Sequence, residues 1–233
     1  MLNINIDKLK KLDNSTNESY KRLRTNIQFC GDDIKVIALT STAPNEGKSS
    51  VSFNLAASIA ESGKRVIFLD TDLRKSVLVG RYKINKAVKG LTHYLSGVNP
   101  FDEVVYATNV DNLHVVFSGP VPPNPAELLG NKYFKKLIDD LRKTYDYVII
   151  DTPPIGSVID AAIVAQECDG VVLVISANEI SYKAVQKSKM QMEKSNCRII
   201  GAVLNKVTLG KNGYYGKYYG KYYGKYYGNY GEY

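Results

Sequence analysis

The sequence predicts an α/β fold in which a mostly parallel β-sheet carries helices on both faces. Short apolar runs at 66–70, 147–150 and 170–175 alternate along the chain with segments whose apolar residues recur every three or four positions. Strands that alternate with helices are joined by crossovers, which leave neighbouring strands parallel. Three apolar runs also end in a polar loop or in carboxylates, and such ends meet at the sheet edge where ligands bind.

Composition narrows the class of protein. The 233 residues suffice for one α/β domain with a sizeable core, and 44% of them are hydrophobic. Because we find neither a run of about 18 apolar residues nor a signal-peptide core, we expect no membrane span and no secretion. Cys30, Cys168 and Cys197 are scattered, which argues against disulfides and zinc and favours a reducing cytoplasm. The net charge of +8 accompanies no nucleic-acid motif, so we expect no nucleic-acid partner.

The first part of the chain predicts an arm followed by a helix. Residues 1–16 are polar and contain several lysines, which indicates an irregular lead-in. A helix is predicted from Asn17 to Cys30, because Leu23 and Ile27 share one face and Asn17 can cap the first turn.

The next part predicts a strand, a helix and a second strand. A buried strand begins at Val36, and the helix beyond the following loop ends at Gly63, where its apolar stripe stops. The second strand is predicted at 66–70. Residues 74–112 have a mixed pattern that predicts only a short helix at 90–95.

The second half continues the alternation of strands and helices. Four prolines within 118–125 exclude regular structure there, because proline has no N–H donor. Asn131 can cap the helix that follows it. The other elements are predicted in this order: a strand at 113–117, a helical turn at 126–129, a strand at 147–150, a helix at 161–166, a strand at 170–175, a helix at 181–194 and a strand at 198–204.

The loop after the first buried strand ends in Gly47-Lys48-Ser49, the end of a Walker A sequence. A triphosphate needs inward backbone N–H groups, a flexible cation and a hydroxyl for Mg²⁺. Gly47 lets the backbone approach the phosphates, Lys48 can reach the β and γ oxygens from the surface of a cleft, and Ser49 can bind the metal. Thr42 replaces the first Walker glycine. The ATP-binding residues predicted in this loop are Thr42, Ala43, Pro44, Asn45, Glu46, Gly47, Lys48, Ser49 and Ser50.

Two later strands end in carboxylates. Asp70 and Asp72 follow the strand at 66–70, and Asp151 follows the strand at 147–150. A Walker B carboxylate at such a strand end holds Mg²⁺ directly or through water. Each of these strand ends, taken alone, can also be a buried strand followed by a capping aspartate. The glycine–lysine–serine loop and the two carboxylate-bearing strand ends, in this order along the chain, favour a nucleotide site of the P-loop NTPase type.

From Lys211 the sequence becomes a four-residue repeat of two tyrosines, a glycine and a lysine. A period of four with glycine in every unit buries no face, so residues 211–233 are predicted to be a disordered tail. The tail can be a low-complexity adhesive segment, a polyanion-binding segment, or a substrate whose phenols enter an active site in turn. Ten of the chain's 18 tyrosines lie in it, namely Tyr214, Tyr215, Tyr218, Tyr219, Tyr222, Tyr223, Tyr226, Tyr227, Tyr230 and Tyr233.

These features resemble the bacterial tyrosine kinases built on a P-loop fold (BY-kinases), in particular the cytoplasmic kinases of capsular polysaccharide synthesis. The resemblance covers about residues 17–233. The family's Asp-x-Asp-x-Arg pattern is matched by Asp70, Asp72 and Arg74, and its Asp-x-Pro-Pro segment begins at Asp151. The MinD/ParA-type ATPases share the fold but place a signature lysine early in the phosphate loop, where this chain has Ala43.

The resemblance implies an ATP- and Mg²⁺-dependent protein tyrosine kinase that phosphorylates its own tail. It implies that Lys48 stabilises the transferring phosphoryl group, with Ser49 and Asp151 serving the metal. Asp72 is the preferred residue to orient the phenol, and Asp70 is its alternative; either can touch the metal. Arg74 contacts phosphate or structures its loop, and Asn205 after the last strand is placed for adenine recognition by resemblance only.

The family's Glu-x-x-Arg-x-x-Arg contact motif is filled here by Glu18, Lys21 and Arg24, with lysine in the middle position. Charge pattern alone favours a solvated face with a Glu–Lys pair, whereas the resemblance favours an oligomer contact. The family implies a ring of copies that offer tails to their neighbours, and a separate membrane-anchored activator. The kinase would then work in the cytoplasm at the inner face of the membrane, in capsular or exopolysaccharide synthesis and export.

The domain organisation predicted from these observations is an arm at 1–16, a kinase domain at 17–210 and the tail at 211–233. Two other functions remain open at this stage. One is a partitioning-type (MinD/ParA) ATPase switch whose tail is only an adapter, and the other is a tail-driven binding protein with a degenerate nucleotide site.

Overall fold

An eight-stranded sheet runs through the part of the chain that the computed structural model describes, residues 2–6, 12–82, 84 and 88–207. The strand order is β1-β4-β5-β3-β6-β2-β7-β8, and only the β4–β5 pair is antiparallel. The strands are β1 Leu2–Asn3, β2 Val36–Ser41, β3 Val66–Asp70, β4 Val105–Ala107, β5 Leu113–Val116, β6 Tyr147–Asp151, β7 Gly170–Ser176 and β8 Ile199–Asn205. The predicted fold class is therefore confirmed.

Helices cover both faces of this sheet, and each face has its own apolar cluster. The helices are α1 Asn14–Gln28, α2 Lys48–Ala60, α3 Leu78–Arg81, α4 Leu91–Leu95, α5 Pro125–Leu129, α6 Lys132–Thr144, α7 Asp160–Ala165 and α8 Tyr182–Lys194, with a 3-10 turn at Phe101–Glu103. Helices α1, α2 and α3 pack on one face around Phe53 and Phe68, and α4 to α8 pack on the other around Phe134.

The strand register brings the predicted nucleotide residues to one edge of the sheet. β6 lies between β2 and β3, with Leu39 opposite Asp151 on one side and Asp70 opposite Asp151 on the other. All three strands are parallel, so the loops that follow them leave the sheet at the same edge. The central strands are buried on both faces, which explains their continuous apolar runs.

The start of the chain differs from the expected arm. β1 pairs with β4, the backbone N–H of Ile6 donates to Asn109 Oδ1 at 2.9 Å, and the Ile6 side chain is buried. The alternation of Leu2, Ile4 and Ile6 is the period-two pattern that indicates such a strand.

The first helix also begins earlier than predicted. Asp13, not Asn17, is its cap, because Asp13 Oδ1 accepts the N–H of Thr16 at 2.8 Å. The cap predicted at Asn131 is correct, since its side chain accepts the N–H groups of Tyr133 and Phe134.

The mixed segment 74–112 contains more structure than the predicted short helix. It also forms α3, the 3-10 turn and β4. β4 has three residues, too few to show an alternating pattern, and it is stabilised by antiparallel pairing with β5.

Two further observations concern expectations made above. Among the helices that the structure describes, none combines the length and apolar character needed to cross a bilayer. The tyrosine-rich segment 211–233, its predicted disorder and its ten candidate phosphorylation sites lie outside the described residues. The domain boundaries at 16 and 210 remain predictions.

Candidate active site

The loop between β2 and α2 forms a concave set of backbone amides. Asn45 and Gly47 have φ angles of 66° and 86°, which turn successive N–H groups to the same side. Within the described residues, the N–H groups of Asn45, Glu46 and Gly47 have no acceptor, and those of Lys48 and Ser49 lie in the first turn of α2, where no intrahelical acceptor exists. Such an arrangement binds anions, and phosphates above all.

Glu46 holds this loop against the neighbouring strands. Its buried carboxylate accepts the N–H of Ala43 at 2.6 Å and the N–H of Ser176, at the end of β7, at 2.8 Å. Its backbone carbonyl accepts Asn205 Nδ2 at 2.8 Å. Glu46 is therefore placed to shape the phosphate loop rather than to contact phosphate with its side chain.

Gly47 is required by the same packing. A Cβ at this position would lie 2.2 Å from Asn205 Nδ2, in addition to the cost of its positive φ. Asn205, predicted to recognise adenine, thus sits beside the phosphate loop at the end of β8.

A buried ion pair connects the loop to β6. Lys48 Nζ lies 2.7 Å from Asp151 Oδ1 and 3.2 Å from Ser49 Oγ, and Ser52 Oγ donates to the same Asp151 oxygen at 2.8 Å. Lys48 is only 6% exposed and Asp151 is 1% exposed, so the expectation that Lys48 lies at a cleft surface is wrong. Ser52 was not among the predicted site residues, although its position four residues after Lys48 places both on one face of α2.

Asp70 and Asp72 have different environments in the loop after β3. Asp70 is fully buried and accepts the N–H of Asp72 at 3.2 Å and the hydroxyl of Ser76. Burial raises the pKa of Asp70 to about 7, with a further contribution from the charge of Asp151. Asp72 is half-buried, and its Oδ1 accepts the N–H of Lys75 at 3.0 Å. Asp72 is thus the carboxylate that remains accessible.

Arg74 contacts a carboxylate that the sequence analysis did not identify. Its Nε and one terminal nitrogen bind the two oxygens of Asp160 at 2.7 and 2.9 Å, and Asp160 is fully buried at the start of α7. These hydrogen bonds raise the pKa of Arg74. The geometry supports the second of the two predicted roles of Arg74, structuring the loop. A single aspartate in an apolar segment gives no local signal for this pairing.

The oxygen donors at this edge fit a magnesium–nucleotide site. Ser49 Oγ, Asp151 and Asp72 are hard oxygen ligands, which Mg²⁺ prefers. In the part of the chain described here, no group of three histidine, cysteine, aspartate or glutamate side chains is placed to hold a metal ion. Mg²⁺ usually binds through one or two carboxylates together with waters and substrate phosphates. The buried Thr42 Oγ1 has no hydrogen-bond partner among the described residues, so a polar group is available inside the loop.

The predicted contact residues on α1 do not behave as one group. Glu18 and Lys21 are exposed and form an ion pair at 2.7 Å. Arg24 instead turns toward its own domain, where it donates to the carbonyl of Ser58 on α2 at 2.6 Å. Only the first two side chains are therefore available at the surface in the predicted way.

Comparison with known proteins gives consistent results over most of the chain. Residues 34–199 match a family described as an AAA domain. Tyrosine-protein kinase CpsD of Streptococcus agalactiae is 48% identical over 207 residues, which cover 87% of this chain and 90% of that protein. The kinase domain of the Escherichia coli tyrosine kinase ETK has a TM-score of 0.78 at 32% identity, covering 86% and 81%. The chimerical protein CapA2B2 has a TM-score of 0.80 at 31% identity, covering 89% and 94%.

Asp70→Asn is expected to stabilise the metal-free protein, more at high than at low pH. The folded state holds the Asp70 proton up to about pH 7 and the unfolded chain releases it near 3.8, so wild-type stability falls as pH rises between these values. The advantage of the variant should grow by about 3 kcal/mol between pH 5 and pH 8. Urea unfolding in EDTA measures this advantage, and a gain independent of pH would contradict the prediction.

Arg74→Met is expected to cost more stability than Asp160→Asn. The first change leaves a fully buried carboxylate without its cation, whereas the second leaves a guanidinium side chain that is 41% exposed and reaches water. We expect losses of about 2–4 and about 1 kcal/mol respectively, and a double variant more stable than Arg74→Met alone. Urea unfolding of the three variants measures these losses, and equal losses in the two single variants would show that the pair does not act as described.

Proposed function

The chain belongs to the bacterial tyrosine-protein kinases built on a P-loop domain, and we propose that it phosphorylates tyrosines of its own C-terminal segment, between copies of the chain. The alternative of an ATPase switch without kinase activity finds no support in relatives named tyrosine kinases at up to 48% identity. The observation that carries the proposal is that the Lys48–Asp151 pair and the loop carrying Asp72 lie at the ends of adjacent strands, at the sheet edge from which β8 leads into that segment.

Phosphoryl transfer depends on positioning and charge neutralisation more than on covalent chemistry. The amides of residues 45–49 are suited to bind the phosphates of ATP, and Lys48 must exchange Asp151 for a phosphate oxygen. Ser49 and Asp151 would hold Mg²⁺, which supplies charge neutralisation between the β and γ phosphates. Ser52 keeps Asp151 in place through its hydrogen bond.

Asp72 is the residue that we assign to the acceptor phenol. It is half-buried and lines the cleft beside the site, whereas both oxygens of Asp70 already accept hydrogen bonds inside the protein. A phenol has a pKa of about 10, so full proton removal by a carboxylate before transfer would be costly. Asp72 therefore orients the hydroxyl and receives its proton late in the transfer.

The proposal extends to partners and to the cellular process. Glu18 and Lys21 are exposed charged groups suited to a contact between copies in a ring. A separate membrane-anchored activator, which the resemblance implies, is part of the proposal. The resemblance to capsular polysaccharide kinases supports a role in capsular or exopolysaccharide synthesis and export, at the cytoplasmic face of the membrane, and we include both in the proposal.

Asp72→Asn is expected to slow transfer to tyrosine by about 10²–10⁴-fold, because the phenol loses its proton acceptor. The amide can still accept the N–H of Lys75, so folding and ATP binding should persist. Asp72 is a better target than Lys48, because Lys48→Met would leave Asp151 buried without its cation. Phosphotyrosine formed from labelled ATP measures the effect, with Asp102→Asn, an exposed carboxylate elsewhere, as the control. Full activity of Asp72→Asn would move the role to Asp70.

Transfer is expected between copies of the chain. An Asp72→Asn chain that keeps its tail, mixed with an active chain truncated after Lys211, should acquire phosphotyrosine on the intact tail. The truncated partner supplies the active site and carries no tail tyrosines. Mass spectrometry of the tail peptides measures the transfer. Absence of phosphate from a mixture shown to co-assemble would exclude transfer between copies, and free phosphate without phosphotyrosine in the wild type would overturn the proposed function.

Glu18→Ala combined with Lys21→Ala is expected to give a smaller species in light scattering without loss of thermal stability. The pair is exposed and screened by water, so it contributes little to folding, and its removal should affect mainly a contact between copies. Asp140→Ala with Lys143→Ala removes a similar exposed i,i+3 pair on α6 and serves as the control. Arg24 is left intact because it binds Ser58 within the domain. An unchanged mass would show that Glu18 and Lys21 form a solvated surface and not a contact between copies.

A further inference from the structure

A cleft of about 390 Å³ opens beside Asp72, between the loop after β3 and the loop after β5. Its walls come from 72–76, Val79 and Val88 in one part of the chain and from Ser118, Gly119 and Val121 in the other. The strand order places this cleft on the side of β3 away from β2, so a nucleotide held by the phosphate loop does not fill it. Asp72 thus separates the proposed nucleotide site from a second concave space.

The cleft combines an apolar wall with polar and charged groups, among them the accessible Asp72 and the exposed Lys75. Val79, Val88 and Val121 give it an apolar wall, and Val121 is 68% exposed. Arg74, one of its cations, is already paired with Asp160. A space of this size with apolar walls and one accessible carboxylate suits an aromatic side chain and adjacent backbone.

The chain's own C-terminal segment has a matching pattern. Eight of its tyrosines form four adjacent pairs, at 214–215, 218–219, 222–223 and 226–227, whereas Tyr230 and Tyr233 stand alone. When one tyrosine of a pair lies at Asp72, its neighbour is the nearest aromatic ring to the valine wall. A ring placed there removes apolar surface from water on both partners.

The segment is also long enough to enter the cleft. Tyr214 lies seven residues beyond Val207, the last described residue after β8, and an extended chain spans about 3.3–3.6 Å per residue. The cleft lies between the ends of β3 and β5, which are four and five strand intervals from β8, about 19 to 24 Å. The first pair can thus reach a cleft at this distance, and the later pairs can reach further, including to a neighbouring copy.

We infer that this cleft binds the residue adjacent to the accepting tyrosine and favours an aromatic side chain there, so that paired tyrosines of a second copy's tail are the preferred acceptors. The inference rests on the proposed function and adds acceptor specificity to it. Val79, Val88 and Val121 are its specificity-determining residues, and Asp72 marks the position of the reacting phenol.

The test compares short acceptor peptides with the full-length enzyme. Each contains one tyrosine within the tail sequence, with either phenylalanine or alanine beside it: Gly-Lys-Tyr-Phe-Gly-Lys, Gly-Lys-Phe-Tyr-Gly-Lys and their two alanine counterparts. Phenylalanine supplies the ring without a second acceptor. We expect the kcat/KM for phosphotyrosine formation to be about tenfold higher with phenylalanine than with alanine in at least one order.

The preference should depend on the valine wall. Val79→Ser combined with Val121→Ser is expected to lower the ratio of phenylalanine to alanine peptide to about twofold or less. Val98→Ser is the matched control, because Val98 is a valine of 67% exposure outside the cleft, and it should keep the wild-type ratio. The ratio cancels any general loss of activity, so only a change in acceptor selection moves it.

The outcomes separate this inference from the function on which it rests. Equal use of the two peptides by the wild type, or a preference that survives the double valine change, would overturn the cleft assignment and leave the kinase intact. Absence of phosphotyrosine on both the peptides and the tail in the wild type would instead overturn the proposed function, and the cleft assignment with it.

Discussion

The buried ion pair between Lys48 and Asp151 is the interaction on which the active-site edge depends. Two charges with less than a tenth of their surface exposed are stable only because each satisfies the other and Ser52 donates to the same carboxylate. The pair joins the first turn of α2 to β6, the strand between the phosphate loop and the Asp70–Asp72 loop. Removal of Lys48 or Asp151 would leave the other charge buried and unpaired, at the sheet edge where the phosphate loop and the Asp70–Asp72 loop begin.

Five carboxylates near this edge have separate tasks because their environments differ. The carboxylate of Glu46 accepts two backbone N–H groups, and that of Asp160 binds Arg74, so both hold loops in place. Asp70 is buried, with a raised pKa, and organises its own turn. Asp151 faces the phosphate loop, and Asp72 remains accessible. The bonding partner, rather than residue type, thus distinguishes these carboxylates: Glu46 and Asp160 are held by backbone amides and Arg74, whereas the partner of Asp151 is the phosphate-loop Lys48 and Asp72 is only half-buried.

Local patterns predicted those parts of this molecule whose cause is local. β3 was expected at 66–70 and forms at Val66–Asp70, because a continuous apolar run ends in two carboxylates. The Walker spacing likewise predicted the position of the phosphate loop. The roles of Glu46 and Asp160 could not be predicted, because their partners lie 130 and 86 residues away along the chain. The first helix was placed three residues late because Asp13 and Asn17 are both acceptable caps, and only tertiary contacts decide between them.

Because β8 lies at the edge of the sheet, it supports the phosphate loop less firmly than a buried strand does. Among the described strands, β8 pairs with β7 alone and has no fully buried residue, whereas every residue of β2 is buried. Strands of this kind open locally at a small free-energy cost, so their amide hydrogens exchange early. Asn205 at the end of β8 holds the carbonyl of Glu46. Local opening of this edge strand therefore releases one support of the phosphate loop, while the contact with Ser176 of β7 and the rest of the domain stay in place.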